Sequence, residues 1–113
     1  MKTSIKIRTQ FEFVHCWKDA PEEVQFLRYL HRHDFLVSCE IEVFHNDREL
    51  EFFMVLHRLE HFIEAVMIPN CDVTTSCEQF AEQILQYLID TYGKRKIKVE
   101  VSEDGKSSAI VEE

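Results

Sequence analysis

Hydrophobic and polar positions alternate along residues 4–17 with little interruption. Ile5, Ile7, Thr9, Phe11, Phe13, His15 and Trp17 fall on one side, and Lys6, Arg8, Gln10 and Glu12 on the other. Successive side chains of an extended chain point to opposite faces, so this period of two predicts a long strand with one buried face. Pro21 breaks the alternation, and Glu22–Phe26 reads as a helical turn in an irregular connection. Alternation resumes with His31, His33, Phe35, Val37, Cys39, Ile41 and Val43 on one face. Arg32, Asp34, Ser38, Glu40 and Glu42 lie opposite, with Leu36 an apolar exception. Asn46 and Asp47 mark the turn that follows.

The period then lengthens. Phe52, Leu56, Leu59, Ile63 and Val66 recur at helical spacing between Glu49 and Val66, and Pro69 with Asn70 ends that helix. Thr75 and Glu78 fit a capping box, in which a hydroxyl accepts from an orphan backbone N–H while the glutamate reaches back. The helix behind them is expected to bury Phe80, Ile84, Leu85 and Leu88, with Gly93 closing it. Ile97, Val99 and Val101 alternate again, and Asp104-Gly105 is a strong hairpin signal before a short strand over Ser107–Val111. The order strand, strand, helix, helix, strand, strand predicts one α+β domain over residues 1–113. Its four-stranded antiparallel sheet (ββααββ) carries both helices on one face. The other face holds some apolar residues, and self-association is the simplest cover for a chain this small.

Composition narrows the function classes. A chain of 113 residues is one domain, of a size that buries roughly two-thirds of its unfolded surface. A net charge of -8 argues against a nucleic-acid partner, whose affinity comes largely from clustered Lys and Arg. The one basic run, Lys94-Arg95-Lys96, reads as a solvated helix end favoured by the helix dipole. No segment approaches membrane-spanning length, and the N-terminus lacks the continuous apolar stretch of a signal peptide. Cys16, Cys39, Cys71 and Cys77 form no CxxC pair. A cytoplasmic protein with reduced thiols is expected, each cysteine fitting as a small buried hydrophobe.

The candidate chemistry lies in three histidines. His15 sits on the apolar face of the first strand, and His31 and His33 on that of the second. Three imidazoles at inward positions are costly unless something satisfies them. Neighbouring protein groups are one answer. The other is a zinc ion, which takes all three in their neutral form and leaves a coordination position for substrate. Their common phase favours the metal.

The segments FEFVHCW, LHRHDF, TTSCE and VEVSED, in that order, resemble the 6-pyruvoyl-tetrahydropterin synthase family, including its bacterial 6-carboxy-tetrahydropterin synthase branch. The likeness spans nearly the whole chain. It implies a tunnelling-type fold, zinc on His15, His31 and His33, and a pterin ring anchored by Glu103. A carboxylate there accepts two parallel hydrogen bonds from a ring N–H and an exocyclic amino group. Glu103 also continues the parity of Val99 and Val101, and a surface glutamate before the turn is the plain alternative. Glu78 matches the glutamate of the family's Pro-Thr-x-Glu, although the capping box accounts for it as well.

The departures from that pattern matter equally. Where the family carries its catalytic cysteine, Gln25–Leu30 holds no thiol, and Cys16 falls on the face opposite His15 if the strand stays regular. Glu60 and His61 stand in place of an Asp-His pair that moves protons, yet periodicity puts His61 mid-helix, one turn from His57 on the solvated side. Arg32 replaces the glycine of His-x-His. The resemblance implies a zinc-dependent lyase acting on a dihydroneopterin-triphosphate-type or related purine-derived substrate. The alternative is an altered or inactive family member that binds a pterin or purine, or serves as an oligomeric interaction module. Assembly into a homo-oligomer, a trimer or dimer of trimers with sites at subunit boundaries, is implied in either case.

Overall fold

A computed structural model describes residues 1–113. The strands are β1 (Thr3–His15), β2 (His31–Val43), β3 (Ile97–Glu103) and β4 (Ser107–Glu112). They form one antiparallel sheet in the order β1-β2-β3-β4. Helices α1 (Phe52–Phe62) and α2 (Cys77–Tyr92) lie between the two hairpins in sequence, and a kinked 3₁₀ segment, Glu22–Arg28, connects β1 to β2. The protein is therefore α+β, with a four-stranded antiparallel sheet. No helix is long and apolar enough to cross a membrane.

The alternation read from the sequence is the alternation that packs. Ile7, Phe11, Phe35, Val37, Cys39, Ile41, Ile97, Val99 and Val101 are buried on one sheet face, in one cluster with Val55 and Leu59 of α1 and Phe80, Ala81, Ile84, Leu85 and Leu88 of α2. Both helices thus cover the same face. Phe11 and Phe35 stack with centroids 5.2 Å apart, and Phe80 meets Phe35 edge-on at 5.1 Å. The opposite face carries ion pairs: Glu40 lies between Lys6 (3.5 Å) and Lys98 (3.4 Å), and Arg32 between Glu12 (2.6 Å) and Asp34 (3.0 Å). Leu36 and Ile110 are exposed on it.

Several local expectations shift. β1 ends at His15, so Trp17 is not a strand residue and stands half-exposed. Helix α1 begins at Phe52, capped by the Glu51 carboxylate on the N–H groups of Phe53 and Met54. Its buried positions are Val55, Leu59, Ile63 and Met67 rather than Phe52, Leu56 and Val66. A π-helical turn over Ile63–Met67 explains the far end: its wider turn advances the register by one residue, bringing Met67 inward and leaving Val66 outside. Phe52 lines a concavity with Thr3, Ile5 and Val43, beyond the packed sheet.

The capping box is also displaced by one. Ser76, not Thr75, accepts from the N–H of Gln79, whose side chain returns to the Ser76 N–H. Glu78 is freed from that role. The basic run is not simply solvated either. The Arg95 side chain is 8 % exposed, bonded to both carboxylate oxygens of Glu49 (2.8 and 3.0 Å) and to the carbonyls of Tyr92 and Glu42. Its guanidinium lies 4.4 Å over the Phe44 ring.

Candidate metal centre

Strand register builds the site. His15 of β1 pairs directly with His31 of β2, and Phe13 with His33. The three imidazoles therefore share one face at one end of the sheet, with centroids 4.6, 5.0 and 5.4 Å apart. One ring nitrogen from each lies within 4.8 Å of the others. Phe35 supports the cluster from below, its ring edge-on to His15 at 5.3 Å and to His33 at 5.8 Å. A rigid aromatic floor fixes where the imidazoles stand.

Each Nδ1 is tied to a group that only accepts. His15 donates to the Thr75 carbonyl (2.8 Å), His31 to the Tyr29 carbonyl (2.8 Å) and His33 to Asp104 Oδ2 (2.6 Å). The proton is thereby placed on Nδ1, and a neutral ring keeps its lone pair on Nε2. The Nε2 atoms of His15 and His33 are buried without a hydrogen-bond partner. The only other such side-chain atom is the lone Tyr92 hydroxyl. Metal-ligating histidines usually donate their second ring nitrogen to acceptors of this kind. The donor set fits zinc, which takes three imidazoles readily.

Asp104 is the one charged member of that outer shell, and the sequence showed it only as a turn residue. Its carboxyl also accepts from the Asp34 N–H, and its own N–H donates to the Asp34 carbonyl. The Asp34 N–H and then His33 hold its carboxyl below the usual aspartate range. Its φ of 56° and the 75° of Gly105 put both residues in the left-handed region that the turn requires. Asp-Gly thus makes the hairpin and orients a histidine at once.

Beside the histidines lies a cleft of about 430 Å³, lined among others by His15, His31, Cys16, Cys77, Glu78 and Glu103. Glu103 and Glu78 both line it. Glu103 Oε2 comes within 3.3 Å of His33 Nε2, off the direction of a hydrogen bond. Cys16 overturns an expectation. Because β1 ends at His15 and the Cys16 N–H bonds to the Val73 carbonyl, its side chain is buried and lines the cleft instead of facing away. The Cys77 thiol donates to the Val101 carbonyl (3.0 Å). Burial, aided by the charge of Glu103, pushes it up to about 11, so it is protonated at neutral pH.

Glu60 and His61 are elsewhere. Thr9 donates to Glu60 (2.8 Å), six residues along β1 from His15, roughly 20 Å at strand rise. His61 is exposed and lines a shallow depression with His57, Arg58 and Tyr87. A larger concavity of about 630 Å³ lies at the opposite end of the sheet and contains none of the candidate residues. Neither a scan against protein-family models nor a search of curated proteins finds a match for this chain.

Proposed function

We propose that the chain is a zinc-dependent, pterin-synthase-like lyase with a tunnelling-type fold, acting on a reduced pterin or related purine-derived substrate. One observation carries this reading: three imidazoles, each with Nδ1 hydrogen-bonded, bring one ring nitrogen apiece within 4.8 Å of the others beside a cleft that holds two carboxylates. His15, His31 and His33 would hold the zinc, which supplies Lewis acidity that acidifies a neighbouring C–H or O–H of the substrate. Glu103 binds the ring through adjacent N–H donors, and Glu78, no longer occupied as a cap, adds a second acceptor. Cys77 stays a neutral donor to Val101 and takes no part as a nucleophile. Within one chain Cys16 is the remaining thiol in the cleft. Glu60 and His61 serve the reaction only across a subunit boundary, in the trimer or dimer of trimers that the resemblance implies. The setting is cytoplasmic.

A second reading has an observation of its own. No Lys or Arg lines the cleft, and a triphosphate tail is ordinarily met by such groups. An altered family member that binds a pterin or purine without turnover accounts for that. Incubating the zinc-loaded protein with dihydroneopterin triphosphate separates the two. Release of triphosphate with a new pterin product supports the lyase. Saturable binding of the pterin without turnover supports the second reading, and neither binding nor turnover removes both. Native mass measured on the same sample reports whether a neighbour is present to complete the site.

A further inference from the structure

We propose that Glu103 is the fourth donor of the histidine centre and closes it while no ligand is bound. This rests on the metal-binding reading above and specifies how the site is guarded. Glu103 pairs with Phe35 across β2 and β3, so it is the diagonal neighbour of His33 on the same sheet face, a separation that a long side chain bridges. Its Oε2 stands 3.3 Å from His33 Nε2.

His33 Nδ1 meets Asp104 Oδ2 at 2.6 Å, and its Nε2 is buried without a hydrogen-bond partner, so the Glu103 oxygen stands beside a nitrogen with no hydrogen bond of its own. Donors bound tetrahedrally to zinc at about 2.0–2.1 Å lie about 3.3–3.4 Å apart. The 3.3 Å between His33 Nε2 and Glu103 Oε2 is compatible with such a separation. The carboxylate now stands against His33 alone, outside the group of three nitrogens. Its side chain is 33 % exposed, and a turn of the carboxylate would carry it toward the three nitrogens. Held there by one flexible side chain, it is a ligand that can leave.

The same oxygens cannot serve a metal and a ring together. A ligand presenting adjacent N–H and amino donors draws Glu103 away and vacates a coordination position as it binds. Recognition of the ring and opening of the metal are then one event. A closed centre also excludes small anions until that moment.

The test compares wild type with Glu103→Ala and Glu103→Gln, each first checked for fold by circular dichroism. Zinc affinity is measured by competition with a chromophoric chelator, and the cobalt(II)-loaded proteins are titrated with azide. The wild-type cobalt spectrum is expected to ignore millimolar azide. Glu103→Ala should respond to it and bind zinc at least about tenfold more weakly, and Glu103→Gln, which keeps the shape, should behave like the alanine variant. Wild-type affinity and azide response in Glu103→Ala would overturn the fourth donor and leave the three-histidine centre standing. Absence of stoichiometric zinc in the wild type would overturn the centre itself.

Discussion

The two ends of this sheet bury polar groups in opposite ways. At one end Arg95 is enclosed by two carbonyls, both oxygens of Glu49 and the face of Phe44. At the other end, three imidazoles share one point, and the buried nitrogens of His15 and His33 have no partner. A polar group that is fully met inside the protein holds the protein together. One that is half met costs stability and calls for an explanation, which for the clustered histidines is the proposed metal. The contrast sets a structural clamp against a candidate binding site without reference to any relative.

The widest separation should come from the histidines. A His31→Ala/His33→Ala double variant is expected to lose stoichiometric zinc altogether while its metal-free fold changes little, because both side chains are only partly buried. Elemental analysis and thermal melts of the same preparation check this, and a collapsed fold would make the histidines structural after all. Arg95→Ala should do the reverse. Removing the guanidinium leaves the Glu49 carboxylate and two carbonyls without their partner, so the unfolding midpoint should fall, with zinc binding untouched. Urea titration reads it.

The third expectation probes the outer shell. Asp104→Asn keeps a residue that tolerates left-handed backbone but removes the charge behind His33, and zinc affinity should fall about 10–100-fold. Competition with a chelator measures it, and an unchanged affinity would show that Asp104 serves only the turn. The smallest effect is an acid one at the clamp. The Phe44 N–H, then Arg95, hold the Glu49 carboxyl below its ordinary value. Its contribution is therefore complete above the unfolded value, about pH 4.3, and is lost as pH falls through the lower folded value. The stability gap between wild type and Glu49→Gln should shrink between pH 7 and pH 3.

The histidine end was more legible than the clamp, for a physical reason. A period of two sets a side chain's face without knowledge of its neighbours, so the common phase of His15, His31 and His33 follows from the pattern alone. So do the four strands and the buried face of α2. Arg95 is met by Glu42, Glu49 and Phe44 from the far side of α1 and α2, and no local pattern carries that. Cys16 misled for a similar reason: its direction depends on where β1 stops, which the carbonyl of Val73 decides. The capping box slipped by one because Thr75-Ser76 and Glu78-Gln79 offer two equivalent pairings, and only the helix start chooses between them. Asp104 was hidden by its own explanation, since Asp-Gly accounts for a turn so well that no second role is sought.

One feature of the sheet extends past both of its ends. β1 is an edge strand of 13 residues, and none of its backbone groups bonds outside the ladder to β2. Alternate amides along it therefore face solvent and should exchange with deuterium within seconds, while those between them are protected as firmly as the core. A second copy laid along that edge would erase the alternation and slow every amide of the strand together. The exchange pattern of a single strand thus records whether the molecule is alone.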